Sequence, residues 1–91
     1  AKDHEQIFYL PDGSLLETTI GNLILEIKGN LYTPPAHLPI LDGIYRRHLL
    51  ETGQVEEKLL TLKDLGVADQ VYACNALRGL YPLDFTREES E

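Results

Sequence analysis

Three short stretches set residues capable of chemistry into breaks in otherwise apolar runs: "ETTIGN" at Glu17 to Asn22, "LDGIYR" at Leu41 to Arg46, and "CNALRG" at Cys74 to Gly79. Glu17 supplies a carboxylate within an apolar strand. Gly43 stands where an apolar loop turns into a segment with helical periodicity. A glycine there lets backbone amides approach a ligand, and a helix N-terminus attracts anions. The third stretch adds a turn with free backbone amides at Asn75 and Ala76. Should the three turns meet at one end of a sheet, they bring together a carboxylate, a helix N-terminus and free amides. That set suits a phosphorylated ligand with a basic ring nitrogen.

Each signal also has a plainer reading. Glu17 in a strand can simply face solvent, and Asn22 and Asn75 are turn formers at strand ends. Arg46-Arg47 in a first helical turn opposes the helix dipole, which either a nearby anion or plain exposure explains. Arg78 reads equally well as a surface residue. Cys74 lies in "VYACNAL" without basic neighbours to lower its pKa, and reads as a small buried hydrophobe. Other chemistries lack their residues. His4, His37 and His48 are not spaced as a metal pair, and no HExxH, CxxC or P-loop pattern occurs. Ser14 and Ser90, in a turn and in the tail, are the only serines, which argues against a Ser-His-Asp hydrolase.

The elements that must position these turns are short. "EQIFYL" and "LLETTI" read as extended runs around Pro11-Asp12-Gly13-Ser14, and "NLILEIK-GN-LYT" as a second hairpin with Gly29-Asn30 in a primed turn. The first forty residues therefore predict an antiparallel meander. Pro34, Pro35 and Pro39 forbid a ladder and make a rigid loop. Asp42 is placed to cap a helix whose apolar side is Ile44, Tyr45, Leu49 and Leu50, and Gly53 ends it. "QVEEKLL" reads as extended with Val55 buried, and Thr61 with Asp64 opens a short helix through Leu65. "DQVYACN" reads as a strand, "LRGLYPLDF" as a loop with a last extended piece, and "TREESE" as a frayed tail. The class is α+β (mixed α/β).

At 91 residues the chain is one domain. Hydrophobic and charged contents of 43% and 25% are ordinary for a soluble globular protein. A net charge of −7 and a pI near 4.8 argue against nucleic-acid or anionic-membrane partners, both polyanionic. No apolar run approaches the roughly 18 residues of a membrane span, and no signal peptide is evident, so the expected compartment is the reducing cytoplasm. The chain begins at Ala1 and holds no methionine, which points to processing or excision from something longer.

Taken in order, "DGSLLETTIGNLILEIKGNLYTPP", "PILDGIYRRHLLETG" and "VEEKLLTLKDLGVADQVYACNALRGLYPL" resemble the C-terminal half of the fold-type IV pyridoxal-phosphate enzymes, the class IV aminotransferases. That family holds branched-chain and D-amino-acid aminotransferases and 4-amino-4-deoxychorismate lyase. The resemblance runs from about Phe8 to Leu83. "YTPP", "CNALRG" and the double arginine look most like the lyase domains at the C-terminus of some aminodeoxychorismate synthase component I chains. It implies the C-terminal domain of the D-amino-acid aminotransferase-like fold, an antiparallel meander plus one longer and one short helix. Residues 1–85 would be the cofactor-binding part and 86–91 a charged tail.

The roles it implies are specific. Pyridoxal 5'-phosphate is the cofactor, with Glu17 opposite its pyridine nitrogen and the amides of Gly43, Ile44 and Tyr45 on its phosphate. Asn75 and Ala76 match a second phosphate-contacting turn, Leu77 and Arg78 fall where the family's loop faces the substrate carboxylate, and Asn22 matches an asparagine read as structural. Many relatives carry Thr at the Tyr45 position and a hydroxyl residue at Ala76, so phosphate contacts there rest on backbone N–H alone. The family's Schiff-base lysine lies upstream of Glu17 by roughly twice its separation from Lys2, so neither Lys2 nor Lys28, Lys58 or Lys63 matches it. No catalytic residue is thus expected in this chain.

The resemblance therefore implies the C-terminal portion of a lyase that makes 4-aminobenzoate and pyruvate for folate biosynthesis, inactive by itself. Alternatives are part of a class IV aminotransferase, or a non-catalytic interaction or assembly domain derived from that fold. The partners implied are a small-molecule substrate, either 4-amino-4-deoxychorismate or an amino acid, and a missing N-terminal part of the same polypeptide. A homodimer is implied because family members pair.

Overall fold

Local turn chemistry organises the first hairpin. In a computed structural model, which describes residues 6–83, Gly13 takes φ +93° and the Ser14 N–H donates to Asp12 Oδ1 at 2.9 Å. This turn joins β1 (Ile7–Tyr9) to β2 (Leu15–Thr18), an antiparallel pair with an irregular register between Ile7 and Tyr9. Lys2, His4, Ser90 and the 86–91 tail lie outside the described residues.

The second hairpin pairs β3 (Gly21–Ile27) with β4 (Asn30–Thr33). Ile27 faces Asn30, so the two loop residues are Lys28 and Gly29, one position earlier than the expected Gly29-Asn30. A primed turn needs positive φ at both positions, and here they are 55° and 85°. Lys28 tolerates this as its N–H is held by Asp69 Oδ2 at 2.9 Å, and Asn30 is drawn into the strand.

After the proline loop come α1 (Ile44–Glu51), β5 (Glu56–Glu57), α2 (Leu62–Val67), β6 (Gln70–Asn75) and β7 (Gly79–Pro82). Gly53, φ +79°, ends α1 as expected: its N–H donates to the Leu50 carbonyl and that of Gln54 to the Leu49 carbonyl, satisfying carbonyls the helix leaves open. Thr61 and Asp64 form a reciprocal capping box at α2, which runs two residues past the expected Leu65.

β3 is the hub. One edge pairs antiparallel with β6 from Asn22 to Glu26. The other is shared, with β2 at Gly21-Asn22 and β4 at Leu25–Ile27. In the gap between them Thr33 Oγ1 donates to the Leu23 carbonyl at 2.7 Å. β5 joins β4 in parallel and β7 extends β6, giving one seven-stranded mixed sheet; the meander expected for β1 to β4 holds.

Alternation along β3 sends Leu23 and Leu25 to one side and Ile24 to the other. The first two join Leu15, Leu60, Leu65, Val71, Ala73 and Leu83 in the larger core. Ile24 joins Leu49, Val55 and Cys74 beneath α1 in a smaller one. Each fully buried Leu or Ile contributes about 1.5–3 kcal/mol relative to exposure. Among the described residues no helix is long and apolar enough to cross a membrane.

Candidate functional site

Glu17 and Asn22 sit directly opposite each other on β2 and β3, so their side chains rise from the same face of the sheet. Both reach the loop ahead of α1. The Leu41 N–H donates to Glu17 Oε1 at 3.0 Å, and Asn22 Nδ2 donates to the Leu41 carbonyl at 2.9 Å. Asn22 is buried, and its Oδ1 lies where a Cβ on Gly43 would stand. Gly43 has φ −67° and ψ 145°, open to any residue. Its glycine is required by contact with Asn22, not by backbone conformation.

Gly43, not Asp42, is the N-cap of α1, and no side chain caps the helix. The first-turn N–H groups of Ile44, Tyr45 and Arg46 therefore have no partner within the helix, and the helix dipole favours an anion there. Asp42 is turned aside: its carboxylate meets Arg47 at 2.8 Å and Arg46 at 3.7 Å. Arg46 is buried, only 2% exposed, and its Nη2 donates to the Pro34 carbonyl at 2.9 Å and to Glu57 at 2.6 Å. Glu57 also accepts the Ala36 N–H at 3.0 Å. The anions beside the double arginine are thus Asp42 and Glu57, and both tie down the proline loop.

The third turn is locked onto the first. Asn75 Nδ2 donates to the Ile20 carbonyl at 2.7 Å while its Oδ1 accepts the Arg78 N–H at 2.8 Å. Gly21 approaches the Cys74 carbonyl so closely that a Cβ there would collide with it. Thr18 Oγ1 accepts the N–H groups of Ile20 and Gly21, rounding the bend between β2 and β3.

The three turns enclose a cavity of about 530 Å³. Small-molecule sites fall in this size range. Glu17, Asn22, Gly43, Ile44, Asn75 and Ala76 line it. Tyr45, Leu77 and Arg78 do not. Tyr45 turns into the smaller core, 5.8 Å from the His48 ring and in contact with Gly79. Leu77 is 91% exposed, and the Arg78 guanidinium lies over the Tyr81 ring at 4.3 Å. Sequence reasoning missed Phe8 and Leu41, which also line the cavity. Phe8 had no local signal, since β1 reaches the cavity only through the tertiary fold, and Leu41 opens one of the three interrupted runs, where the signal falls on Gly43.

Cys74 contributes to the wall but supplies no nucleophile: burial pushes its thiol up to about 11, the Arg46 charge opposing this only in part. Among the described residues no group of three or more His, Cys, Asp or Glu side chains could hold a metal ion. No lysine lines the cavity among the described residues.

Residues 1–84 match the amino-transferase class IV family. Aminodeoxychorismate lyase from Vibrio harveyi is 36% identical over 76% of this chain and 27% of its own length. The crystal structure of an aminotransferase from Brucella abortus bound to the cofactor pyridoxal phosphate superposes with a TM-score of 0.76 at 26% identity, covering 88% of this chain and 30% of that one. Branched-chain aminotransferase from Thermoproteus uzoniensis with norvaline gives a TM-score of 0.74 at 28% identity, covering 87% and 28%. The chain spans about a third of the length of the curated relatives it matches.

Proposed function

Because the chain belongs to the class IV aminotransferase family, whose members depend on pyridoxal phosphate, we propose that it forms the cofactor-cradling part of a 4-amino-4-deoxychorismate lyase. The observation that carries the reading is the cavity, where Glu17 is the one carboxylate among the described lining residues and shares the wall with the uncapped start of an eight-residue helix. That donor set fits a ring nitrogen at one end and a phosphate at the other.

Glu17, one of whose carboxylate oxygens accepts the Leu41 N–H, would hold a proton at the ring nitrogen. The backbone at Gly43 and Ile44 would hold the phosphate, and that at Asn75 and Ala76 would meet it from the adjoining turn. The Asn75 side chain is already committed to Ile20 and Arg78. When bound, the cofactor supplies a protonated ring that accepts electron density while a substrate bond breaks. Phe8, Leu41 and Ile44 add apolar, solvent-exposed side chains to the cavity wall. Leu77 and Arg78, next along the loop from Ala76, would face the substrate carboxylate, which requires the Arg78 guanidinium to leave the Tyr81 ring. Residues 1–85 make up this part, and the Schiff-base lysine comes from sequence upstream in a longer polypeptide.

The lyase is preferred over an aminotransferase on the 36% identity to the Vibrio harveyi enzyme together with the "YTPP" and "CNALRG" stretches. Two measurements test the reading. Titrating this chain with pyridoxal phosphate should give a saturable absorbance change that Glu17→Gln weakens about tenfold, the scale of a hydrogen bond to a charged group; binding that ignores the substitution removes Glu17 from the site. The longer polypeptide should release 4-aminobenzoate and pyruvate in equal amounts from 4-amino-4-deoxychorismate. If turnover instead requires an amino acid and a 2-oxo acid, the activity is transamination.

A further inference from the structure

We propose that Asn22 is a positioning residue that sets the distance between the two ends of the cavity, the Glu17 carboxylate and the first turn of α1, by clamping Leu41. The inference rests on the cofactor reading above for what occupies those ends. Leu41 is held from both sides by one cross-strand pair: its N–H by Glu17 at 3.0 Å and its carbonyl by Asn22 at 2.9 Å. Two residues on, Gly43 rests against Asn22 Oδ1, and Gly43 is the residue from which α1 starts. One buried side chain, 5% exposed, thereby touches both the segment that orients Glu17 and the residue that opens the helix.

This contact is selective. Asn22 has both a donor and an acceptor, and the clamp uses the donor on Leu41 while the acceptor abuts Gly43. The loop has few other holds between Pro39 and Gly43: the Ile40 N–H turns back to the Leu38 carbonyl, and Asp42 pairs with Arg46 and Arg47 within its own segment. Without Asn22, Leu41 keeps only its bond to Glu17 among the described residues. That carboxylate and the helix start then move independently, so a ligand spanning both pays an ordering cost that a ligand at one end does not.

The test uses amide hydrogen exchange and three probes: pyridoxal phosphate, which spans the cavity, and pyridoxal and inorganic phosphate, which engage one end each. In Asn22→Ala, exchange should rise about tenfold or more at Leu41 and at Arg47, whose N–H is bonded to the Gly43 carbonyl, while α2 and β6 keep their rates, the pattern of a local rather than global opening. Affinity for pyridoxal phosphate should fall about tenfold further than affinity for either single-ended probe. Gly43→Ala attacks the same contact from the other side and should reproduce both effects, and combining the two substitutions should cost less than their sum because the shortened side chain at position 22 leaves room for the new methyl. Equal losses for all three probes, or none, overturn the positioning role. If the wild-type chain binds none of the probes, the cofactor reading is what fails, and unchanged exchange at Leu41 in Asn22→Ala then overturns the clamp itself.

Discussion

The two faces of β3 are built to different rules. On one, Leu23 and Leu25 enter the larger cluster of buried apolar side chains. On the other, Ile24 joins Leu49, Val55 and Cys74 in a smaller cluster flanked by Leu31, Tyr45, Leu50, Tyr72 and Leu80, and the same face carries Asn22 toward the cavity, with Arg46 of α1 buried nearby. The polar groups there are bonded to backbone: Asn22 to Leu41 and Arg46 to Pro34. Burial of polar groups is tolerated when they find partners, and here loop carbonyls and the Glu57 carboxylate serve, with Arg46 Nε left unpaired among the described residues. The closed face supplies the stability, and the open face uses its polar residues to fix loops around a cavity.

The largest break in this comparison should come from Leu25→Ala, which opens a void in the closed core and is expected to cost about 3 kcal/mol in a urea titration. A cost comparable to that of a surface substitution would mean the closed face is not the main source of stability. Arg46→Ala on the open face should cost less, about 2 kcal/mol, because Glu57 keeps access to water at 40% exposure while the Pro34 carbonyl loses its donor. Its signature is local: faster exchange at Ala36, whose N–H shares Glu57 with Arg46. The smallest effect belongs to Cys74. Its thiol titrates near 11 in the fold against 9.0 unperturbed, so the unfolded chain loses its proton first as pH rises. The associated stability is intact below pH 9 and falls between 9 and 11, by about 1 kcal/mol at pH 10. Urea midpoints at pH 7 and 10 should diverge more for wild type than for Cys74→Ala.

How much of this was legible in the sequence follows from the range of each interaction. Gly13, Gly53 and the Thr61–Asp64 box act over a few residues, and their turn, stop and cap were readable. The Lys28-Gly29 turn was misplaced by one residue because Asp69, far along the chain, supports Lys28. Asp42 looked like a cap until two arginines competed for its carboxylate. The three interrupted runs raised a convergence of their turns only as a condition, and Glu17, Gly43, Ile44, Asn75 and Ala76 line one cavity. The burial of Arg46 was not legible, since two adjacent cations at a helix start fit a nearby anion and plain exposure alike, and Glu57 announces no partnership. The parallel contact of β5 with β4 likewise has no local trace.

The double pairing of β3 also governs the order in which this chain can fold as it is synthesised. The meander through β4 is complete early, yet the long edge of Leu23-Ile24-Leu25 pairs with Val71 to Ala73, roughly fifty residues later, a separation that slows closure. Until β6 arrives, an apolar strand edge stands open, the kind of template on which nascent chains associate. Slower synthesis or lower temperature during expression should therefore raise the soluble yield, and the gain should disappear for a circular permutant that places β6 ahead of β3.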